Sequence, residues 1–136
     1  MRRMGRFRMD ALSGVVGTLV DGSGRPLARC YEATSAASRM IGLLATPDLR
    51  PDEALLIDRC RSVHTMGMRI SIDVAFLDAE GVVLRVLHAL RPFRVAAARG
   101  ARSVIETRAE TLADVTVGER LQVNRSLDAE RLPARR

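Results

Sequence analysis

The chain contains no lysine and no tryptophan, and aromatic residues are scarce. All 22 basic side chains among its 136 residues are arginine, which excludes chemistry that needs a lysine, such as Schiff-base formation or a P-loop phosphate site. The aromatic residues are Phe7, Tyr31, Phe76 and Phe93. Proteins that bind single-stranded nucleic acid stack bases on several aromatic side chains, so this scarcity argues against that class.

Long apolar runs and the common catalytic motifs are also missing. No stretch approaches the roughly 18 uncharged apolar residues of a membrane-spanning helix, so no transmembrane segment is predicted. Cys30 and Cys60 form no C-x-x-C pair, and in a cytoplasm both would stay reduced. There is no dinucleotide-binding glycine fingerprint, nucleophile elbow or zinc-protease helix motif. Any catalytic histidine must be His64 or His88.

The net charge of +6 is distributed unevenly along the chain. Residues 1–10 hold +3 and residues 125–136 hold +2, which leaves +1 for residues 11–124. We therefore predict two basic flexible tails around a single globular domain over residues 11–124. DNA-binding domains usually hold their bases on the folded face, so we predict no sequence-specific nucleic-acid binding, and only weak tail-mediated contact with anionic surfaces.

The segment behind the N-terminal arginines is a poor export signal. Its apolar run from Ala11 to Val20 is broken by Gly, Ser and Thr and lies behind Asp10. It runs into a glycine-rich turn rather than a small-residue cleavage site. A first strand and a cytoplasmic location are the predictions.

Two hairpins are indicated by short apolar runs around turn residues. The first joins Val15–Val20 to Leu27–Ala33 through a turn rich in glycine and proline. The second joins Ile70–Leu77 to Val82–Leu90, and its first strand alternates with a period of two. This alternation places Ile70, Ile72, Val74 and Phe76 on one face.

Helical spacing is limited to residues 35–45 and a short stretch at 109–115, while residues 54–57, 103–107 and 121–124 complete the strands. The prediction is therefore an α+β fold. It consists of a small, mainly antiparallel sheet or barrel of about seven short strands with one or two short helices.

One segment, residues 60–69, concentrates side chains with possible chemistry. Cys60, His64, Met66 and Met68 share parity in an extended strand and belong to the soft ligand set that suits copper. Cys60 with His64 could also form a nucleophilic pair, although no oxyanion device or third orienting residue accompanies them. The competing interpretation is that the cysteine and methionines fill a core and the histidine is hydrogen-bonded.

Asp73 interrupts an apolar strand, on the face opposite Ile72 and Val74. A buried carboxylate there would need a partner, for which Arg69 or His64 is the candidate, and a structural salt bridge is the preferred interpretation. Arg39, on the first predicted helix, is either a surface charge or a partner of Asp73 or Glu106.

An ordered series of motifs resembles one family. The motifs are Arg39-Met40-Ile41-Gly42-Leu43-Leu44, then Cys60-Arg61-Ser62-Val63-His64-Thr65, Gly67-Met68-Arg69, Ile72-Asp73-Val74, Arg91-Pro92 and Val104-Ile105-Glu106. Over residues 27–124 the chain resembles the bacterial and archaeal family catalogued as domain of unknown function 192. That resemblance implies a compact, mainly β fold with a short helix and an unestablished biochemical role. The positions that match the family pattern are Arg39, Gly42, Cys60, His64, Thr65, Met68, Arg69, Asp73, Pro92, Glu106 and Gly118.

The chain departs from the family pattern at three places. Met66 stands where an aromatic residue is usual, Ser71 replaces a common proline, and residues 107–110 lack the usual Leu and Gly. The first two changes alter the rim of any pocket beside His64. Many relatives look exported, which conflicts with the cytoplasmic prediction.

Two functional interpretations remain open. The preferred one is a non-catalytic binding or accessory domain with no cofactor, for a small ligand or a protein partner, and relatives encoded near pilus genes connect it to envelope or secretion machinery. The ligand-binding candidates are Arg39, Cys60, His64, Thr65, Met68, Arg69 and Asp73. The alternative is a copper or zinc protein, or a small hydrolase, that uses Cys60, His64 and Asp73. Catalysis or metal binding would require Cys60 or His64 to reach solvent.

Overall fold

A computed structural model describes residues 15–33, 49–66 and 68–125, and within these it contains nine strands and no helix. The strands are β1 (Val15–Val20), β2 (Pro26–Ala33), β3 (Glu53–Asp58), β4 (Ser62–His64), β5 (Ile72–Leu77), β6 (Val83–Leu90), β7 (Val95–Ala97), β8 (Ser103–Arg108) and β9 (Gln122–Asn124). No helix in these described ranges has the length and apolar character to cross a membrane.

Seven strands form one sheet in the order β6-β5-β8-β3-β2-β1-β9. The pair β2 and β3 is parallel, and the other neighbouring pairs in this sheet are antiparallel. Both predicted hairpins are confirmed, as β1 with β2 and as β5 with β6. The two remaining strands, β4 and β7, form a separate antiparallel pair, which we call the ribbon.

The predicted α+β class is wrong, because the described residues form an all-β, curled half-barrel. Residues 109–115, predicted as a helix, are successive turns with backbone hydrogen bonds between residues three apart. Glu110 has a φ of 83°, which a right-handed helix does not permit. The helix predicted for residues 35–45 lies outside the described residues. The same is true of the predicted tails, apart from Arg125.

The two faces of the sheet bury separate apolar clusters. The outer core contains Ile72, Val74 and Phe76, with Ile70 packed against it, which confirms the predicted alternation. The inner core lies on the other face and includes Leu19, Leu77, Val83, Ile105, Leu112 and Leu121. Because neighbouring strand residues point to opposite faces, every central strand contributes to both cores.

Residues 118–121 link the two ends of the curled sheet. Val82, beside β6, forms an isolated bridge with Arg120, and Leu121 donates its N–H to the carbonyl of Gly81 at 2.9 Å. The chain then continues into β9, which pairs with β1 at the far edge. Leu19 and Val83, from opposite edges, therefore belong to the same inner core.

Candidate functional site

One face of the ribbon packs against the outer core. Val63 pairs with Ala96, and both side chains are buried in the outer core. His64 pairs with Val95 one position further along, so these two side chains project from the opposite face. Val95 is 69% exposed. Among the described residues, this second face of the ribbon is therefore open at Val95.

Thr65 fastens the loop over residues 91–94 to the end of β4. Its N–H donates to the carbonyl of Arg94 at 2.8 Å, and its carbonyl accepts the N–H of Phe93 at 3.0 Å. Its hydroxyl accepts the N–H of Arg94 at 2.8 Å and donates to the carbonyl of Arg91 at 2.7 Å. Thr65 is fully buried, so these bonds are shielded from water.

Phe93 is held in an unfavourable conformation at the tip of this loop. Its φ is 64°, a backbone region that residues other than glycine seldom occupy, and Phe93 is 62% exposed. Val95 lies two residues further along the chain. Met66, which is 46% exposed, follows Thr65, whose carbonyl accepts the N–H of Phe93. Five large hydrophobic side chains of the described residues are exposed, and three of them are at this end of the ribbon. We call Met66, Phe93 and Val95 the apolar tip.

The segments that build the ribbon contain no acidic residue. Residues 59–72 and 81–105 together hold eight arginines and no Asp or Glu, whereas the rest of residues 11–124 holds six arginines and 13 acids. All eight side chains are exposed: Arg59, Arg61, Arg69, Arg85, Arg91, Arg94, Arg99 and Arg102. Arg85 also reaches from β6 to the carbonyl of Ala97 at 2.7 Å. The segments that form and adjoin the ribbon are thus strongly basic, although the domain as a whole is nearly neutral. Of these arginines, Arg102 forms an ion pair with Asp58.

The structure does not bring the soft-ligand candidates onto one face. Cys60 packs against the outer core and donates its thiol to the carbonyl of Ser62 at 3.0 Å, whereas His64 projects from the other face of the ribbon. The strand ends at His64 and a turn follows, so Met66 is exposed while Met68 is buried in the outer core. No group of three His, Cys, Asp or Glu side chains that could hold a metal occurs in the described ranges.

Asp73 lies on the face of the main sheet opposite the ribbon, and its carboxylate binds backbone N–H groups. Its buried carboxylate accepts the N–H groups of Ala89, Glu110 and Leu112 at 2.8, 2.9 and 3.0 Å. These amides, rather than the predicted Arg69 or His64, are its hydrogen-bond partners, and His88 Nδ1 lies 4.0 Å away. Ala89 and Glu110 both have positive φ angles, so the carboxylate stabilises two strained positions.

Glu106 is a buried carboxyl group, and neither of its oxygens has a hydrogen-bond partner among the described residues. It lies in β8 between Leu55 and Val74, whose side chains belong to the outer core. Desolvation raises its pKa to about 8. Arg39, its predicted partner, lies outside the described residues.

Of the other predicted site residues, Arg69 is exposed, beside Met68. Thr65 joins the ribbon to its loop, as described above. No sequence motif points to Phe93, Val95 or Arg94. The absence of acids from residues 59–72 and 81–105 is the signal that would have found them.

The fold and site together define a small all-β domain with a curled main sheet and a basic two-stranded ribbon. The chain belongs to the family of domain of unknown function 192, described as an uncharacterized ACR, whose family model matches residues 20–123. This confirms the resemblance drawn from the sequence motifs.

Two crystal structures have a similar fold. One is of a candidate transcription regulator from Sinorhizobium meliloti, with 23% identity, a TM-score of 0.66, and coverage of 78% of this chain and 90% of that chain. The other is of a protein of unknown function from Novosphingobium aromaticivorans, with 20% identity, a TM-score of 0.67, and coverage of 77% of this chain and 81% of that chain. At these identities the likeness shows the fold alone. A search of the curated proteins finds no match.

Proposed function

We propose that the protein is a non-catalytic binding domain that docks on anionic membrane surfaces through the ribbon. One observation supports this most directly: the exposed Arg91 and Arg94 flank Phe93 of the apolar tip, on segments that hold no acid. Apolar side chains enter the boundary between lipid headgroups and acyl chains, and arginines are attracted to anionic headgroups. Each arginine near such a surface contributes about 1 kcal/mol.

The composition of the apolar tip favours lipid over nucleic acid. Base stacking requires aromatic rings, and Phe93 is the only ring in the tip, since Val95 and Met66 are aliphatic. A lipid surface accepts both aliphatic and aromatic side chains. The strained φ of Phe93 also supports a functional role, because strain of this kind tends to persist at binding sites.

A membrane-surface role agrees with the envelope or secretion association that the family resemblance implies, and that association is part of this proposal. The description of the Sinorhizobium protein as a candidate transcription regulator raises DNA as the competing partner. The metal and hydrolase alternatives receive no support from the described residues, because Cys60 and Asp73 lie against opposite faces of the main sheet.

Vesicle co-sedimentation of the full chain tests the proposal. The vesicles are phosphatidylcholine alone or an equimolar mixture of phosphatidylcholine and phosphatidylglycerol, each at low and high salt. We expect binding to the anionic vesicles only, and weaker binding at high salt. Replacing both Arg91 and Arg94 with Gln should weaken binding roughly thirtyfold, the equivalent of about 1 kcal/mol for each arginine.

Matched variants separate the ribbon from the rest of the chain. Phe93→Ser should weaken binding about tenfold, whereas Val117→Ser, at an equally exposed position of 62%, should leave it unchanged. A variant with Arg2, Arg3, Arg6 and Arg8 replaced by Gln measures the contribution of the N-terminal arginines. Loss of binding in that variant alone, or retention in Phe93→Ser, would overturn the proposal. So would binding to a DNA oligonucleotide without binding to vesicles.

A further inference from the structure

One edge of the main sheet is open over most of its length. The edge strand β6 pairs with β5 on one side. On its other side, residues 118–120 cover only its beginning, where Val83 donates its N–H to the carbonyl of Glu119 at 2.8 Å and its carbonyl accepts the N–H of Gly118 at 2.9 Å. Beyond Val83, no described residue forms a backbone hydrogen bond with this side of the strand. An unpaired strand edge of this kind is a template for a further strand.

The regular part of this edge is short. The pairing of β6 with β5 is irregular near both ends, between Phe76 and Leu77 and again opposite Asp73. At the second irregularity Ala89 has a φ of 56° and donates its N–H to the carboxylate of Asp73. Because bulges limit pairing at an edge, a further strand has room beside residues 84–88, which we call the open edge. About five residues is an ordinary length for a strand.

Both cores are incompletely covered at the open edge. Val86 packs against the inner core and Leu87 against the outer core, and both side chains are only half-buried. Leu84, at the start of the open edge, is 36% exposed. A further strand would place side chains on both faces of the sheet, next to Val86 and Leu87. Pairing there would therefore bury apolar surface in addition to backbone groups.

The charge at the open edge favours an acidic partner. Arg85 and His88 are exposed within it, and Arg91 is exposed just beyond it. No carboxylate of the described residues forms an ion pair with Arg85 or Arg91. Arg85 donates to the carbonyl of Ala97, which is a neutral group, so its positive charge stays unbalanced. The acids in residues 78–80 precede β6, at its covered end.

Charge also argues against an occupant from this chain itself. A second copy would bring the same basic side chains to the edge, and residues 1–10 and 125–136 carry +3 and +2. Like charges on neighbouring strands oppose pairing. We therefore propose that the open edge binds an extended acidic segment of a partner protein, as an eighth strand of the main sheet. Its acidic side chains would lie on the outer face beside Arg85, and its apolar side chains on the inner face beside Val86.

Hydrogen exchange of the full chain, with and without a synthetic peptide, tests this inference. The probe is a capped seven-residue peptide of alternating valine and glutamate. At saturating peptide, the backbone amides of residues 84–88 that face the open side should exchange at least about tenfold more slowly. Amides of β9, at the opposite edge of the sheet, should be unchanged.

Modified peptides separate strand pairing from simple attraction of charges. A peptide of alternating valine and lysine should bind at least about tenfold more weakly. Two further peptides keep the glutamates but are N-methylated, one at its valines and the other at its glutamates. Alternate residues of a strand present their N–H groups to opposite edges, so one methylated peptide should bind like the parent and the other at least about tenfold more weakly. Attraction of charges alone would leave both equal.

Arg85→Gln keeps a hydrogen-bond donor for the carbonyl of Ala97 and removes the charge. It should weaken peptide binding about threefold, whereas Arg108→Gln, at an exposed position away from the edge, should leave it unchanged. The inference is wrong if the glutamate peptide protects no amide of residues 84–88 at millimolar concentration, or if the lysine peptide binds equally well. It is also wrong if the chain is a dimer whose open-edge amides are protected without peptide. These measurements contain no lipid, so they can fail independently of the vesicle experiments.

Discussion

At the scale of single residues, the carboxylate of Asp73 fixes the backbone at three positions. Two residues of β6, His88 and Ala89, oppose it in a bulge, and its carboxylate accepts the N–H of Ala89 together with two amides beyond β8. A carboxylate accepts several such bonds at once because it has two oxygens and a full charge. Asp73 therefore joins three segments that are distant in sequence.

Asp73→Ala should lower the free energy of unfolding by about 3 kcal/mol, since three N–H groups, one buried and two half-buried, would lose their acceptor. Urea denaturation measures this change. Asp114→Ala is the matched control, because the side chain of Asp114 is 78% exposed and should contribute little. Equal stability of the two variants would show that the amides find other partners.

Glu106 makes stability depend on pH. Its pKa is raised from 4.5 to about 8 in the folded protein, because burial disfavours the charged carboxylate. Below pH 4.5 both folded and unfolded states hold the proton and stability is complete. Between pH 4.5 and about 8 the unfolded state releases it first, so the melting temperature should fall as pH rises through this window.

Glu106→Gln isolates this effect, because glutamine has nearly the same shape and does not ionise. Its melting temperature should be less sensitive to pH over the same window than that of the unchanged protein. Burial also raises the pKa of the Cys30 thiol from 9.0 to about 12, so above pH 8 the unfolded state begins to lose this proton first and stability falls for a second reason. Measurements should therefore stop near pH 8. If the melting temperatures of the two proteins changed with pH in the same way, burial would not have raised the pKa of Glu106.

At the scale of elements, long strands were predictable and the ribbon was not. The strand β5 was visible because Ile72, Val74 and Phe76 alternate with residues of the other face. The strands β4 and β7 have three residues each, too few for any periodicity. About 30 residues, which include β5 and β6, separate His64 from its partner Val95. Their pairing depends on contacts with the outer core and on Thr65.

Phe93→Gly should raise the free energy of unfolding by about 1 kcal/mol, because glycine adopts the φ of 64° without strain. Chemical denaturation measures the gain. Val95→Gly, in the adjoining strand, should instead lower stability by about 1 kcal/mol, because strand glycine costs conformational entropy. If Phe93→Gly is less stable than the unchanged protein, the exposed ring must make a stabilising contact, and strain would no longer support a binding role.

At the scale of the whole molecule, closure of the sheet depends on a close approach at Gly81. A Cβ atom there would lie 2.8 Å from the carbonyl oxygen of Leu121, in the segment that links the two sheet edges. The φ of Gly81 is also positive, at 84°. Both features favour glycine. The positive φ would strain the backbone of any other residue, and the close approach of Leu121 leaves no room for a side chain.

Gly24 isolates the effect of backbone strain, because its φ is 85° and no atom lies within 4 Å of the position that a Cβ would take. Gly24→Ala should cost about 1 kcal/mol through strain alone. Gly81→Ala should cost about 2 kcal/mol or more, because the linking segment must also move. Urea unfolding of both variants measures the difference. Equal losses in the free energy of unfolding would show that the linking segment can move away from residue 81 without cost.

Much of this protein was determined by its sequence alone: family membership, both hairpins and the division of β5 between two faces. These features depend on motifs, turn residues and alternation, which act over a few neighbouring residues. The fold class was predicted incorrectly because the helical spacing at residues 109–115 is overridden by Glu110 and by its bond to Asp73. Only the tertiary structure decided the partners of Asp73 and the pairing of the ribbon, because each brings together residues from segments that are far apart in the chain.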